Sequence, residues 1–156
     1  MATALPRLDE HATPVAAGVD DVWQALLAWA DRGSRGARRV ARLLGCADTA
    51  ATGPRPLAEG STVPGFRVTA AVPGTLLELS GSHRFATYSL AFRLDPDGPD
   101  RSHLRAESHA DFPGVAGGAY RLLVVGTGGH VVAVRRILAA VVADAERRGR
   151  RGDGKA

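Results

Sequence analysis

The spacing of apolar residues changes several times along this chain, and each change predicts an element. Residues 8–15 alternate and predict a strand, with Pro14 placing it at a sheet edge. Over 18–31 the repeat lengthens to that of a helix, with Val19, Val22, Trp23, Leu26, Leu27 and Ala30 on one face. Asp20 and Asp21 fall in its first turn, where negative charge suits the helix dipole, and Gly33 closes it. Ser34 is placed to cap a second, short helix over 34–44, with Val40, Leu43 and Leu44 as its expected buried side and Gly45 as its stop. Residues 46–64 are rich in Ala, Thr, Gly and Pro and read as loop, with a short strand expected near 55–58.

Strands follow. Phe66, Val68, Ala70 and Val72 alternate with Arg67, Thr69 and Ala71, and Pro73-Gly74 makes a turn. A second strand over 75–84 puts Leu77 and Leu79 on one face and Glu78 on the other. A third, over 85–94, gathers Ala86, Tyr88, Leu90, Phe92 and Leu94 against Thr87, Ser89 and Arg93. After the turn Asp95-Pro96-Asp97-Gly98, a fourth over 102–112 sets Leu104, Ala106, Ser108, Ala110 and Phe112 against His103, Arg105, Glu107, His109 and Asp111.

The chain then reads as one long amphipathic helix over 118–148, with Tyr120, Leu123, Val124, Thr127, Val131, Val134, Leu138, Val141 and Ala145 as its apolar stripe. Gly126, Gly128 and Gly129 sit inside it, where each costs about 1 kcal/mol relative to alanine. Sheets with one apolar face need a cover. This helix, about 45 Å long for thirty residues, is the element long enough to supply it. The expected fold is α+β: a curved antiparallel sheet wrapped around a long C-terminal helix, with two short helices after the first strand. Small residues facing the sheet leave room for a cavity between the two.

Composition narrows the function classes. At 156 residues the chain is one domain in size. It divides into a flexible start (1–7), a single domain (8–148) and a basic tail expected to be disordered (149–156). The pI of 10.2 invites a nucleic-acid partner. Yet Arg147, Arg148, Arg150, Arg151 and Lys155 against Asp153 account for the whole net charge of +4. The rest is neutral, and the Arg35, Arg38, Arg39 and Arg42 cluster has no interleaved aromatics, so nucleic-acid binding is not expected. The single cysteine, Cys46, rules out an intramolecular disulfide and a Cys-based metal site, and suits a reducing cytoplasm. No signal peptide is read at the N-terminus, and glycines, Arg121 and His130 interrupt residues 119–134, so membrane insertion is not expected. The Ala, Gly and Arg bias suggests a high-GC bacterial source.

The stretch HATPVAAGVDDVWQALLAWAD resembles the first strand and helix of the START-like, helix-grip superfamily, also called SRPBCC or the polyketide cyclase/dehydrase group. VPGFRVTAAVPGTLLELSGSHRFATYSLAFRLDPD resembles its central strands, and FPGVAGGAYRLLVVGTGGHVVAVRRILAAVVADAER its closing helix. The resemblance covers most of residues 8–148 and rests on element order, not on a catalytic signature. It implies an apolar pocket and does not by itself imply an enzyme.

If the inner strand faces and the closing helix line that pocket, the ligand-binding residues are Trp23, Phe66, Val68, Leu77, Leu79, Tyr88, Leu90, Phe92, Ser108, Tyr120, Val124, Thr127, His130, Val131 and Val134. Tyr88, His83 and His130 are the candidates for acid–base work, set against readings as a core tyrosine, a strand-end histidine and a boundary histidine. Ser108 has no base identified beside it, which argues against a nucleophile. His11 has no obvious partner. His103, Glu107 and His109 span about 20 Å along a strand and do not share one ion. The glycines of VVGTGGH follow helix and not strand, so no dinucleotide site is expected. Three readings remain. The first is binding of a small hydrophobic molecule, lipid or polyketide-like. The second is a cyclase, dehydratase or isomerase working without metal or nucleotide cofactor. The third is an interaction or regulatory protein using its basic tail or the Arg38 face.

Overall fold

The structure is a computed structural model and describes residues 4–33 and 36–154. Its elements, in order, are β1 (Arg7–Val15), α1 (Val19–Arg32), α2 (Ala37–Leu44), β2 (Thr62–Val63), β3 (Phe66–Val72), β4 (Leu76–His83), β5 (Ala86–Pro96), β6 (Ser102–Asp111), α3 (Gly114–Val124) and α4 (Gly129–Asp153). The strands form one antiparallel sheet ordered β1-β6-β5-β4-β3-β2. Pro14 therefore lies on an edge strand, where its missing N–H matters least. The proposed cap Ser34 lies outside the described residues.

Alternation holds in β5 and β6. Leu90, Phe92 and Leu94 pair with Ser108, Ala106 and Leu104, and all six are buried. In β3 it fails partway. The register shifts between Val68 and Ala70, so Thr69 is the extra residue of a bulge. Beyond it the faces exchange: Ala71 packs on the core and Val72, expected inside, is exposed.

Helix α1 buries Val22, Trp23, Ala25, Leu26, Leu27 and Ala30 against the sheet and α4. Helix α2 turns Ala37, Val40, Ala41 and Leu44 toward the inner side of the sheet. Ala41 is its buried residue, Val40 is 54 % exposed, and Leu43, expected inside, is 76 % exposed. Its arginines stay wet. Gly45 ends it in the left-handed conformation, as its position predicts. No strand forms over 55–58; the short strand is Thr62–Val63, with a bridge from Thr52 to Thr62. The loop before it is pinned by buried hydroxyls. Ser61 Oγ donates to the Pro54 carbonyl at 2.9 Å, and Thr62 Oγ1 to that of Ala50 at 2.8 Å.

The C-terminal region is two helices, not one. α3 ends at Val124 and α4 begins at Gly129, with 57° between them. Gly128 takes φ 74°, a left-handed conformation that a helix interior does not accommodate. The glycines thus break the helix and turn α3 away from the axis of α4. Leu123 ends up exposed, while Val134, Leu138, Val141 and Ala145 remain buried. α4 also runs past Arg148 as far as Asp153. Among the described residues no single helix is long and apolar enough to cross a membrane; α3 and α4 meet that composition only as a bent pair.

Candidate functional site

The sheet's inner face is covered unevenly. One half is solid core, where Trp23 and Leu26 of α1 and Val134, Leu138 and Val141 of α4 pack with Leu77, Leu79, Phe92 and Leu104. Over the other half α2 and α3 stand off and leave a cavity of about 420 Å³. Its walls are β-strand residues Phe66, His83, Ala86, Tyr88, Leu90, Ser108 and Ala110. Ala37, Val40, Ala41 and Leu44 of α2, Tyr120 and Val124 of α3, Val125 and His130 also border it, as do Leu8, Ser89, His109 and Phe112. Cys46, at the start of the pinned loop, and Pro64 and Gly65, in the turn between β2 and β3, close one side. Val40 borders the cavity and is largely exposed, so the space reaches solvent beside α2.

Of the fifteen residues expected to line a pocket, Phe66, Tyr88, Leu90, Ser108, Tyr120, Val124 and His130 stand at this cavity. Trp23, Val68, Leu77, Phe92 and Val134 belong to the filled half, because α1 and α4 press onto the sheet there. Leu79 borders a second space of about 420 Å³, beside Trp29, Arg32 and Val63, which shares Ala37, Pro64 and Phe66 with the first. Val131 is half-buried and off the cavity. Thr127 is exposed in the helix break, where its hydroxyl donates to the Leu123 carbonyl at 2.5 Å.

Tyr88 donates its hydroxyl proton to the Gly65 carbonyl at 2.8 Å. That proton being committed, the Cys46 thiol at 3.8 Å is the donor of the second contact. Burial, then the hydrogen bond and charge of Cys46, push the Tyr88 phenol far above its ordinary range, so it stays protonated. Its ring meets Phe66 edge-on at 5.3 Å. Gly81, directly across from Tyr88, is required by this packing: a Cβ there would lie 2.6 Å from the ring and would strike the Gly65 carbonyl.

His83 closes the same end. Its Nδ1 accepts the Phe85 N–H at 3.2 Å, so the neutral ring carries its proton on Nε2. Burial lowers its pKa below the usual value, which keeps it neutral. The ring sits 4.9 Å from Tyr120, edge to face, and 5.4 Å from Tyr88. Burial, and secondarily Cys46, also raises the Tyr120 phenol. Phe85 stacks on Tyr120 at 5.4 Å.

At the cavity's other end Ser108 is 2 % exposed, and its hydroxyl has no hydrogen-bond partner among the described residues. His130, the first residue past the start of α4, is held by Asp9, whose Oδ1 lies 3.3 Å from His130 Nε2 and whose Oδ2 lies 3.1 Å from His11 Nε2. Asp9 is thus the partner that His11 lacked on sequence grounds, and it ties β1 to α4. It escaped the sequence reading because 121 residues separate it from His130. Among the described residues no group of three or more His, Cys, Asp or Glu side chains is arranged to hold a metal ion.

No family model and no curated protein matches the chain. Solved structures do. The aromatase/cyclase ZhuI from a Streptomyces species aligns at a TM-score of 0.60 and 17 % identity, over 93 % of this chain and 96 % of that one. A point mutant of norcoclaurine synthase from Thalictrum flavum, in complex with a transition-state analogue, aligns at 0.56 and 15 %, over 94 % and 98 %. CalU16 from Micromonospora echinospora aligns at 0.52 and 19 %, over 94 % and 92 %. At these identities the likeness shows the fold. It is a helix-grip fold, six antiparallel strands with a long C-terminal helix, and the alignments span nearly the whole chain.

Proposed function

We propose that the protein binds a small, mainly apolar molecule in the cavity between β3–β6 and the helices α2 and α3. The observation that carries this reading is an unfilled space of about 420 Å³, walled mainly by aliphatic and aromatic side chains. Its volume falls in the usual range for small-molecule sites. The predominance of apolar side chains on the wall favours a mainly apolar ligand of lipid or polyketide-like character.

Catalysis of a cyclase or dehydratase kind is the second reading. A neutral His83 with its proton on Nε2, beside two tyrosines held protonated, favours it. His83 would then move a proton at the substrate, while Tyr88 would position it. Native mass spectrometry of protein purified gently from its source tests the binding reading. A retained small molecule, lost on denaturation, is the expected result; a clean apo mass across gentle preparations contradicts tight binding.

A further inference from the structure

Among the described residues the large apolar side chains that stand exposed lie, Val72 apart, on α2, α3 or the first turn of α4. Helix α3 carries most of them. Its inner side gives Tyr120 and Val124 to the cavity and packs Gly117 so closely that a Cβ there would strike the Phe112 backbone. On its outer side Val115, Ala119 and Leu122 follow one another at four and three residues, with Leu123 beside them, and all are exposed. Val115 is 94 % and Leu122 73 % exposed. A helix apolar on opposite sides is ordinarily covered on both, and an exposed apolar patch of this kind marks an interaction surface.

The charge around it points to the partner. No aspartate or glutamate occurs between Asp31 and Asp48, or between Asp111 and Asp144, the stretches that carry α2, α3 and the first half of α4. Arg38, Arg39 and Arg42 are exposed on the side of α2 away from the cavity, with Leu43 among them. Among the described residues these three and Arg121 of α3 form no ion pair, whereas Arg7, Arg55, Arg67, Arg93 and Arg105 each meet a carboxylate. A second copy pairing through the same faces would set these arginines against their own counterparts, and like charges facing each other oppose association. A bilayer of acidic lipids supplies the opposite charge together with an apolar layer beneath it.

We propose that α2 and α3 form a docking surface for an anionic lipid bilayer, the leucines of α3 entering the headgroup layer and the arginines of α2 meeting lipid phosphates. The protein lies on the bilayer and no helix spans it. The proposal stands on the outer sides of these helices and does not rest on the cavity being occupied.

The test is co-sedimentation of the full chain with vesicles of phosphatidylcholine alone and of phosphatidylcholine mixed equally with phosphatidylglycerol. The protein is expected to sediment with the mixed vesicles only, and less as salt is raised. Each of Arg38→Gln, Arg39→Gln and Arg42→Gln is expected to weaken binding about 5-fold. Leu122→Ser with Leu123→Ser is expected to weaken it by at least about 10-fold. All five side chains are exposed, so an unchanged melting temperature separates lost docking from lost folding. Failure of the parent to sediment with either vesicle overturns the proposal. Equal binding to both vesicles overturns the part given to the arginines, and full binding by the double serine variant overturns the part given to α3. Sedimentation velocity without vesicles is expected to show a monomer. A dimer that the serine substitutions dissolve makes this face an interface between copies and overturns the proposal as well. Biphenyl binding, measured separately, reports on the cavity, so either reading can fail while the other stands.

Discussion

Tyr88 Oη and the Gly65 carbonyl lie 2.8 Å apart, and this bond joins β5, in the middle of the sheet, to the turn between β2 and β3. It uses the only proton the phenol has. Tyr88, expected on sequence as a ligand contact or acid–base group, thus braces the fold with its hydroxyl and borders the cavity with its ring. Tyr88→Phe is expected to destabilise the protein by about 1–2 kcal/mol in urea unfolding, because the Gly65 carbonyl loses its partner. It is expected to change affinity for an apolar probe very little. Gly81→Ala should cost more, about 3 kcal/mol, since the added methyl meets both the ring and the carbonyl.

Phe66 stands between the two spaces of about 420 Å³ and borders both. Phe66→Ala is expected to join them at a cost of about 2–4 kcal/mol in stability. The variant should then bind a larger ring system such as pyrene more tightly than the parent does. A lower stability with no gain in pyrene affinity would mean that the walls collapse into the gap.

Much of this arrangement was legible in the pattern of residues, and the failures are local. The alternation in β6 placed Leu104, Ala106, Ser108 and Ala110 inside, as the structure does. The β3 pattern went wrong at Thr69 because a bulge adds one residue without leaving a mark in hydrophobicity. The glycines of the last helix were visible, but whether Gly128 is tolerated or breaks the helix depends on its backbone conformation. For α2, hydrophobicity favoured Val40, Leu43 and Leu44 as the buried side; Val40 and Leu44 face the cavity, Leu43 is exposed, and Ala41 is the buried residue.

The cavity was the hardest feature to localise. Periodicity shows which face of a strand points inward, yet Phe92 and Tyr88 share that face and differ only in what covers them. Where α1 and α4 press down there is core; where α3 swings off the axis of α4 there is space. That difference comes from the 57° break and has no counterpart in the alternation of the strands.

Asp9 holds His130 and His11 together across β1 and the first turn of α4. Asp9→Asn replaces one of two accepting oxygens by a donor. Amide exchange at Val132 and Val134 is expected to quicken while Val141, deeper in the same helix, keeps its protection. The global cost should stay below about 1 kcal/mol, since the cluster is part-exposed. Unchanged exchange in the first turn would remove the cluster from any role in fixing α4.

Burial lowers the His83 pKa from its ordinary 6.5. The unfolded chain therefore takes up this proton first as pH falls. Stability contributed by keeping His83 neutral is fully present above the unfolded value. It declines below about pH 6.5 and levels off once the pH passes the folded pKa. Protonation also places a hydrogen on Nδ1 and ends its role as acceptor for Phe85. Urea midpoints for the parent and for His83→Phe should diverge least near neutral pH, with the parent showing the steeper fall toward about pH 5. Parallel curves would contradict a desolvated His83.

The half of the sheet under α2 and α3 is proposed as the binding space, and the half under α1 and α4 is filled core. Methyl-resolved NMR titration with biphenyl reads this directly. Shifts are expected at Leu44, Leu90 and Val124, with Leu77, Leu104 and Val141 unmoved. Shifts confined to the exposed Leu43, Leu122 and Leu123, or no shifts at saturating probe, would contradict it.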